Sequence, residues 1–202
     1  MSNIARRTLG AGALGALGLS LVACNRGTDS AGGGSDGGGE TAGSGPSIAI
    51  ISKGFSQQFW VTVRDGAFAA AEELGAQVSF DGPDTESDVE QQIQQLQTAL
   101  NGSPDAIAYA ALDSEASLPL LEQAQSGDIP VIAFDSGVES DIPLSTVATD
   151  NAAAAEEAAE KMVELVGEEG SVAVIAHSQT SLTGVQRRDG FVDYIEANTS
   201  LT

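Results

Sequence analysis

The residues best equipped for chemistry fall in a few short stretches of an otherwise apolar and acidic chain. The first is Ser52-Lys53-Gly54-Phe55-Ser56-Gln57-Gln58-Phe59-Trp60, where a cation, a permissive Gly, two amides and aromatic rings meet at one junction. The others are Asp113-Ser114, Asp135-Ser136, His177-Ser178-Gln179 and Arg187. Carboxylates accept paired hydrogen bonds from hydroxyls, Lys and Arg donate to ring and hydroxyl oxygens, and aromatic rings pack on apolar C–H faces. Together these groups suit the grip of a neutral polyol. They suit catalysis poorly: there is no Ser elbow, no second His for a relay, and no acid or base partner near Asp135 in sequence. Gly54 stands alone in its loop, so the glycine series that admits a dinucleotide pyrophosphate is missing. Each candidate also has a structural alternative. Phe59 and Trp60 could be core, Asp135 a helix N-cap and Arg187 half of a surface ion pair; Lys53, Gln57, Asp113 and Ser136 could sit in solvated turns, and His177 could be a satisfied structural group.

Such residues need elements to hold them. Ser47 to Ile51 reads as a strand, and Phe59, Trp60, Val63, Ala67, Ala70, Ala71 and Leu74 line one face of a helix that Gly75 ends. Ala76 to Asp81 reads as a second strand. A helix from Ser87 to Leu100 follows, with Ser87 and Glu90 as a capping box and Val89, Ile93, Leu96 and Leu100 as its apolar stripe. Its glutamines Gln91, Gln92, Gln94, Gln95 and Gln97 are expected to face away from the core. Asp105 to Ala110, a helix around Ser114 to Gln125, a strand from Pro130 to Asp135 and a short run from Leu144 to Ala148 continue the alternation. A helix to Val166, a strand from Gly170 to Ala176 and a helix from Gly184 to Asn198 begin a second unit. Strands apolar on both faces and alternating with helices predict an α/β fold of parallel sheets flanked by helices. In such sheets ligands bind beyond the carboxyl ends of the strands, where the candidates collect. The second unit is too short to bury both faces of a sheet, so the chain is expected to be a fragment, or its second half to fold poorly by itself.

Ahead of this lies a segment with Arg6 and Arg7, an apolar run from Leu9 to Ala23 and no acidic residue, read as an export signal over residues 1–23. The run is too short for a membrane span, which needs about 20 residues. Leu21-Val22-Ala23-Cys24 resembles a lipobox, making Cys24 the lipidation site; ordinary secretion and twin-arginine export both remain open. Residues 24–46, rich in Gly and Ser, read as the anchor and a flexible tether. The expected domains are then residues 47–148 and the start of a second at 149–202. A net charge of −21 with scattered Lys and Arg argues against nucleic acid and against a basic membrane patch. One His and one Cys exclude the usual zinc sites, and the acidic cluster Asp81, Asp84, Glu86 and Asp88 lacks the spacing of a calcium loop and is read as helix capping. No metal or cofactor is expected.

SKGFSQQFWVTVRDGA (Ser52 to Ala67), DIPVIAFDS (Asp128 to Ser136), ATDN (Ala148 to Asn151) and RRDGF (Arg187 to Phe191) together resemble the type I sugar-binding proteins of ABC importers, nearest the ribose and allose kind. The resemblance covers Ser47 to about Asn198. It implies the type I periplasmic binding protein fold, with two similar domains closing on ligand about a hinge near Thr149 to Asn151. It implies that Phe59 and Trp60 sandwich the sugar ring, that Asp135 accepts from two hydroxyls, that Arg187 reaches across from the second domain, and that Lys53 and Gln57 contact the sugar. Gln57-Gln58 replaces the family's usual Asn-Pro, and Ser136 stands where ribose-type members carry an Arg, which disfavours ribose itself. The expected protein is an exported, lipid-anchored monomer on the outer face of the bacterial membrane. It captures a small sugar or polyol for an ABC permease and performs no chemistry. Its rivals are a sensor of the same fold reporting to a membrane receptor, a regulator of the lactose-repressor class, which would need a basic helix-turn-helix in place of the signal, and a hydrolase.

Overall fold

The computed structural model describes residues 45–202; the signal-like segment, Cys24 and the tether up to residue 44 lie outside the described residues. Strands β1 (Ser47–Ile51), β2 (Gln77–Asp81), β3 (Ala106–Tyr109), β4 (Val131–Phe134) and β5 (Thr146–Val147) form one sheet in the order β2-β1-β3-β4-β5. Every pairing is parallel, with Ile48 set against Val78 on one side and Ala106 on the other. Helices α1 (Gln58–Leu74), α2 (Val89–Asn101) and α3 (Leu118–Ser126) make the crossovers. The chain steps from β1 outward to β2, then crosses back to β3 on the other flank, so the strand order reverses between β1 and β3. Loops leaving two such strands diverge, and a crevice opens between them.

One sheet face carries Ala49, Ile51, Ile107, Tyr109 and Val131, which pack with Leu96 and Leu100 of α2 and Leu121 and Ala124 of α3. Leu96 and Leu121 are wholly buried, each contributing about 2 kcal/mol. On the other face Ile48, Ile50, Ala108 and Ile132 are only half-buried. There the Trp60 indole of α1 meets the Phe134 ring edge to face, 6.3 Å between centroids.

Three readings of the sequence are corrected here. Helix α2 is capped by Asp88, not Ser87: its side chain accepts from the Gln91 N–H at 2.9 Å. Gln92 does not face away but is fully buried, for a reason taken up below. The strand expected from Gly170 to Ala176 shrinks to β6 (Glu169–Gly170), paired in parallel with β7 (Ser200–Leu201). Val172 adds one bond, from its N–H to the Thr202 carbonyl at 2.9 Å. Beyond it no described strand lies alongside, and the side chain of Ile175 is 96% exposed. An apolar strand holds its extended pairing only where a neighbour takes its backbone groups. Helices α4 (Asn151–Val166) and α5 (Leu182–Asn198) pack on each other around Ala159 and Ile195. Asp150 caps α4 by accepting from Ala153 N–H at 3.1 Å.

Candidate functional site

The crevice is built on backbone ends, and Gln92 holds those ends in place. Its amide nitrogen donates to the Ser52 carbonyl (2.8 Å) and the Ala110 carbonyl (2.9 Å). Its oxygen accepts from the Tyr109 hydroxyl (2.9 Å) and the Leu112 N–H (3.0 Å). All four hydrogen-bonding positions of the amide are thereby used, and the loops after β1 and β3 are tied to one side chain. Burial pushes the Tyr109 hydroxyl up to about 12, against a smaller opposing effect of the nearby Ser117 hydroxyl. Tyr109 therefore stays a donor to Gln92.

Lys53, next after the tied Ser52, is 5% exposed. Its ammonium lies 2.8 Å from Asp135 Oδ2 at the end of β4, though not along a hydrogen-bonding direction, and 6.0 Å from the centre of the Trp60 ring. Asp135 has φ 55°, in the left-handed region. The two other described non-glycine residues with positive φ, Ser103 and Asp128, follow helix ends, where that geometry is common. Asp135 instead turns the chain at a strand end. Left-handed backbone is more accessible to Asp than to most residues and is enriched at functional sites.

The segment of residues 180–183 meets this corner directly. The Thr180 carbonyl accepts from Ser114 N–H at 3.0 Å. Ser181 and Ser136 hydroxyls are 3.2 Å apart, Ser181 and Thr183 hydroxyls 3.0 Å, and Lys53 donates to Thr183 at 3.4 Å. A buried polar chain thus runs from Ser136 through Ser181 and Thr183 to Lys53 and Asp135. Beside it is a cavity of about 310 Å³ lined by Lys53, Glu86 and Leu112 from one side and by His177, Ser178 and Ser181 from the other. A larger recess of about 540 Å³ between α2 and β2 contains none of the candidate residues.

The remaining candidates are placed differently. Trp60 is 1% exposed; its indole N–H donates to Glu86 at 2.6 Å, and Phe59 meets it edge to face at 4.8 Å. It braces the loop, while Phe59 and Phe55, 56% and 41% exposed, present the aromatic surface. Gln57 is exposed at the N-cap position of α1 and makes no side-chain cap bond there. Asp113 Oδ1 accepts from the N–H groups of Glu115 (3.0 Å) and Ala116 (2.8 Å), turning the chain toward α3. Burial raises the Asp113 carboxyl, but those two N–H bonds and the Thr180 hydroxyl outweigh it and leave the group below its ordinary value. Arg187 lines a separate cavity of about 360 Å³, and its Nε–H donates to Asn151 Oδ1 at 2.7 Å; His177 lines both cavities. Ser181, Thr183 and Gln92 escaped the sequence reading. Gln92 had a signal: it lies three residues after Val89 and four before Leu96, on the apolar stripe. The acidic cluster serves structure, Asp88 as a cap, Glu86 under the indole and Asp81 on Gln95 at 3.0 Å. Among the described residues no acidic or His and Cys group could hold a metal ion, and no helix is long and apolar enough to cross a membrane.

An all-parallel open sheet flanked by helices, with a polar corner at its strand ends, fits the type I periplasmic binding protein fold. Residues 48–202 match the periplasmic binding protein domain family, and the chain belongs to that family. It is 29% identical over 150 residues to the D-apiose import binding protein of Actinobacillus succinogenes, covering 74% of this chain and 48% of that one. Among solved structures it is similar to an ABC transporter solute binding protein from Agrobacterium vitis with bound D-fucose, with 36% identity and a TM-score of 0.74, covering 77% of this chain and 55% of that chain. A chain of a XylFII-LytSN complex is 30% identical with a TM-score of 0.71, covering 78% and 57%. The chain spans about half the length of the curated relatives it matches.

Proposed function

We propose that the protein captures a small neutral sugar or polyol outside the cytoplasm and delivers it to an ABC permease, binding without turnover. The observation that carries this reading is the junction of Lys53 and Asp135, at the ends of β1 and β4, with Ser181 and Thr183 of the second unit. A ligand held from both sides favours the closed arrangement by its differential affinity, and the permease would recognise that arrangement. Ligand contacts fall on Lys53, Asp135 and Ser136, with aromatic packing from Phe59 braced by the buried Trp60, further polar contacts from Gln57 and Asp113, and Arg187 from the second unit. A signal over residues 1–23 and lipid on Cys24 would hold a monomer at the outer face of the membrane. The domains proposed are residues 47–148 and a second beginning at 149.

The test is thermal unfolding of the unlipidated full-length protein against pentoses, hexoses and inositols. Ligand at a hundred times its Kd adds about 2.7 kcal/mol of stability. One or two sugars should raise Tm by several degrees, and Asp135→Ala should abolish the shift; a flat response from well-folded protein would refute sugar capture. The likeness to a chain solved in the XylFII-LytSN complex favours a second reading, a sensor of the same fold acting on a receptor. Sugar-loaded protein that stimulates ATP hydrolysis by a sugar ABC permease reconstituted in proteoliposomes would decide for import.

A further inference from the structure

We infer that Asn151 is a positioning residue for Arg187, gripping the guanidinium by its Nε so that its terminal nitrogens are presented to a ligand; this rests on the ligand-binding reading of Arg187. Asn151 opens α4, directly after the segment where the chain passes from β5 into the second unit, and is 3% exposed. Its Nδ2 donates to the Thr149 carbonyl at 2.9 Å while its Oδ1 accepts from Arg187 Nε–H at 2.7 Å. The two bonds fix the amide's orientation, because a carbonyl only accepts and a guanidinium only donates; a flipped amide would lose both. The Nε–H bond is the one hydrogen bond of the Arg187 side chain among the described residues, which leaves four terminal N–H donors in a planar fork.

The sequence of α5 makes this grip possible. Gly184, Arg187 and Gly190 recur at intervals of three and share a helix face. A Cβ on Gly190 would sit 2.8 Å from the Ala152 carbonyl oxygen, and one on Gly184 would sit 2.7 Å from that of Ser178. Backbone therefore approaches backbone on both sides of Arg187, against the start of α4 on one side and the Ser178 loop of the Lys53 cavity on the other. The R-x-x-G spacing of the motif thus serves to bring Asn151 within reach of Nε.

The test uses full-length protein labelled with ¹⁵N-arginine. The Arg187 Nε–H resonance, assigned by its loss in Arg187→Lys, should exchange slowly with solvent. Asn151→Ala should speed that exchange at least about tenfold, and Asn151→Asp, which keeps an acceptor of the same reach, should preserve it. Should Asn151→Ala fail to fold, Asn151→Ser, too short to reach Nε, should show the same loss. Unchanged exchange in Ala or Ser would overturn the inference. With the sugar giving the largest thermal shift, Asn151→Ala should weaken binding about tenfold, Asp should restore it, and Ala should cost nothing more in an Arg187→Met background. Fast exchange with unaltered sugar affinity would overturn the positioning role. Arg187→Met binding sugar like the wild type would instead defeat the ligand reading of Arg187, while the exchange result would still report on the bond itself.

Discussion

Replacing Gln92 with Leu removes four hydrogen bonds at once and leaves the Ser52 and Ala110 carbonyls, the Leu112 N–H and the Tyr109 hydroxyl buried around an apolar side chain. Unsatisfied buried groups cost about 1–3 kcal/mol each, so a loss of at least about 3 kcal/mol is expected in urea unfolding. A loss below 1 kcal/mol would mean that other groups can take over the amide's partners. Asp113 acts at the same corner through charge. Its folded pKa lies below the unfolded one, so its contribution is present above about pH 4 and is lost as pH falls through the depressed value. Asp113→Asn, which keeps an acceptor for the two N–H groups but no charge, should therefore lose the pH-dependent part of this stability near neutrality and converge with wild type in acid. Parallel stability curves at all pH values would contradict that assignment. Raising the pH works on Tyr109 in the opposite sense. Its folded pKa is raised, so the stability it confers is present below about 10 and is lost as pH climbs toward 12.

At the scale of elements, Gly190 joins α4 to α5. Gly190→Ala would drive a methyl group against the Ala152 backbone, which cannot rotate aside as a side chain could. The expected cost is about 1–3 kcal/mol, with α5 displaced from α4. A neutral Tm would show that the helices part without penalty. Helices were legible in the sequence wherever an apolar stripe and a terminating Gly coincided, as in α1 with Gly75. Parallel strands were legible as apolar runs, but their order, and with it the switch point between β1 and β3, came only with the structure. Gln92 was misplaced because polarity was allowed to outvote position on the helix. The run from Gly170 to Ala176 has strand composition but lacks a described neighbour past Val172, and composition alone cannot supply one. Within the site, residue types pointed to Lys53, Asp135 and Ser136. That Trp60 would brace rather than present its face depends on Glu86, 26 residues away, a pairing no local pattern encodes. Ser181 and Thr183 were invisible for the same reason, since their partners lie 45 and 130 residues distant.

Across the whole chain, 29 acidic residues against 8 basic ones give a net charge of −21, which disfavours attraction to anionic lipid or nucleic acid. Against that background Lys53 stands out, a cation that is buried and matched to a single carboxylate. If the proposed ligand reaches this pair, the pair would act as a charge filter. An anionic guest would satisfy Lys53 but force its charge on Asp135, and a cationic guest would do the reverse, each meeting a like charge where little water can screen it. A neutral guest with adjacent hydroxyls can donate to one member and accept from the other, leaving the pair's net charge as it was. On the proposed ligand-binding reading, the Lys53–Asp135 corner would therefore sort guests by formal charge before their stereochemistry is read.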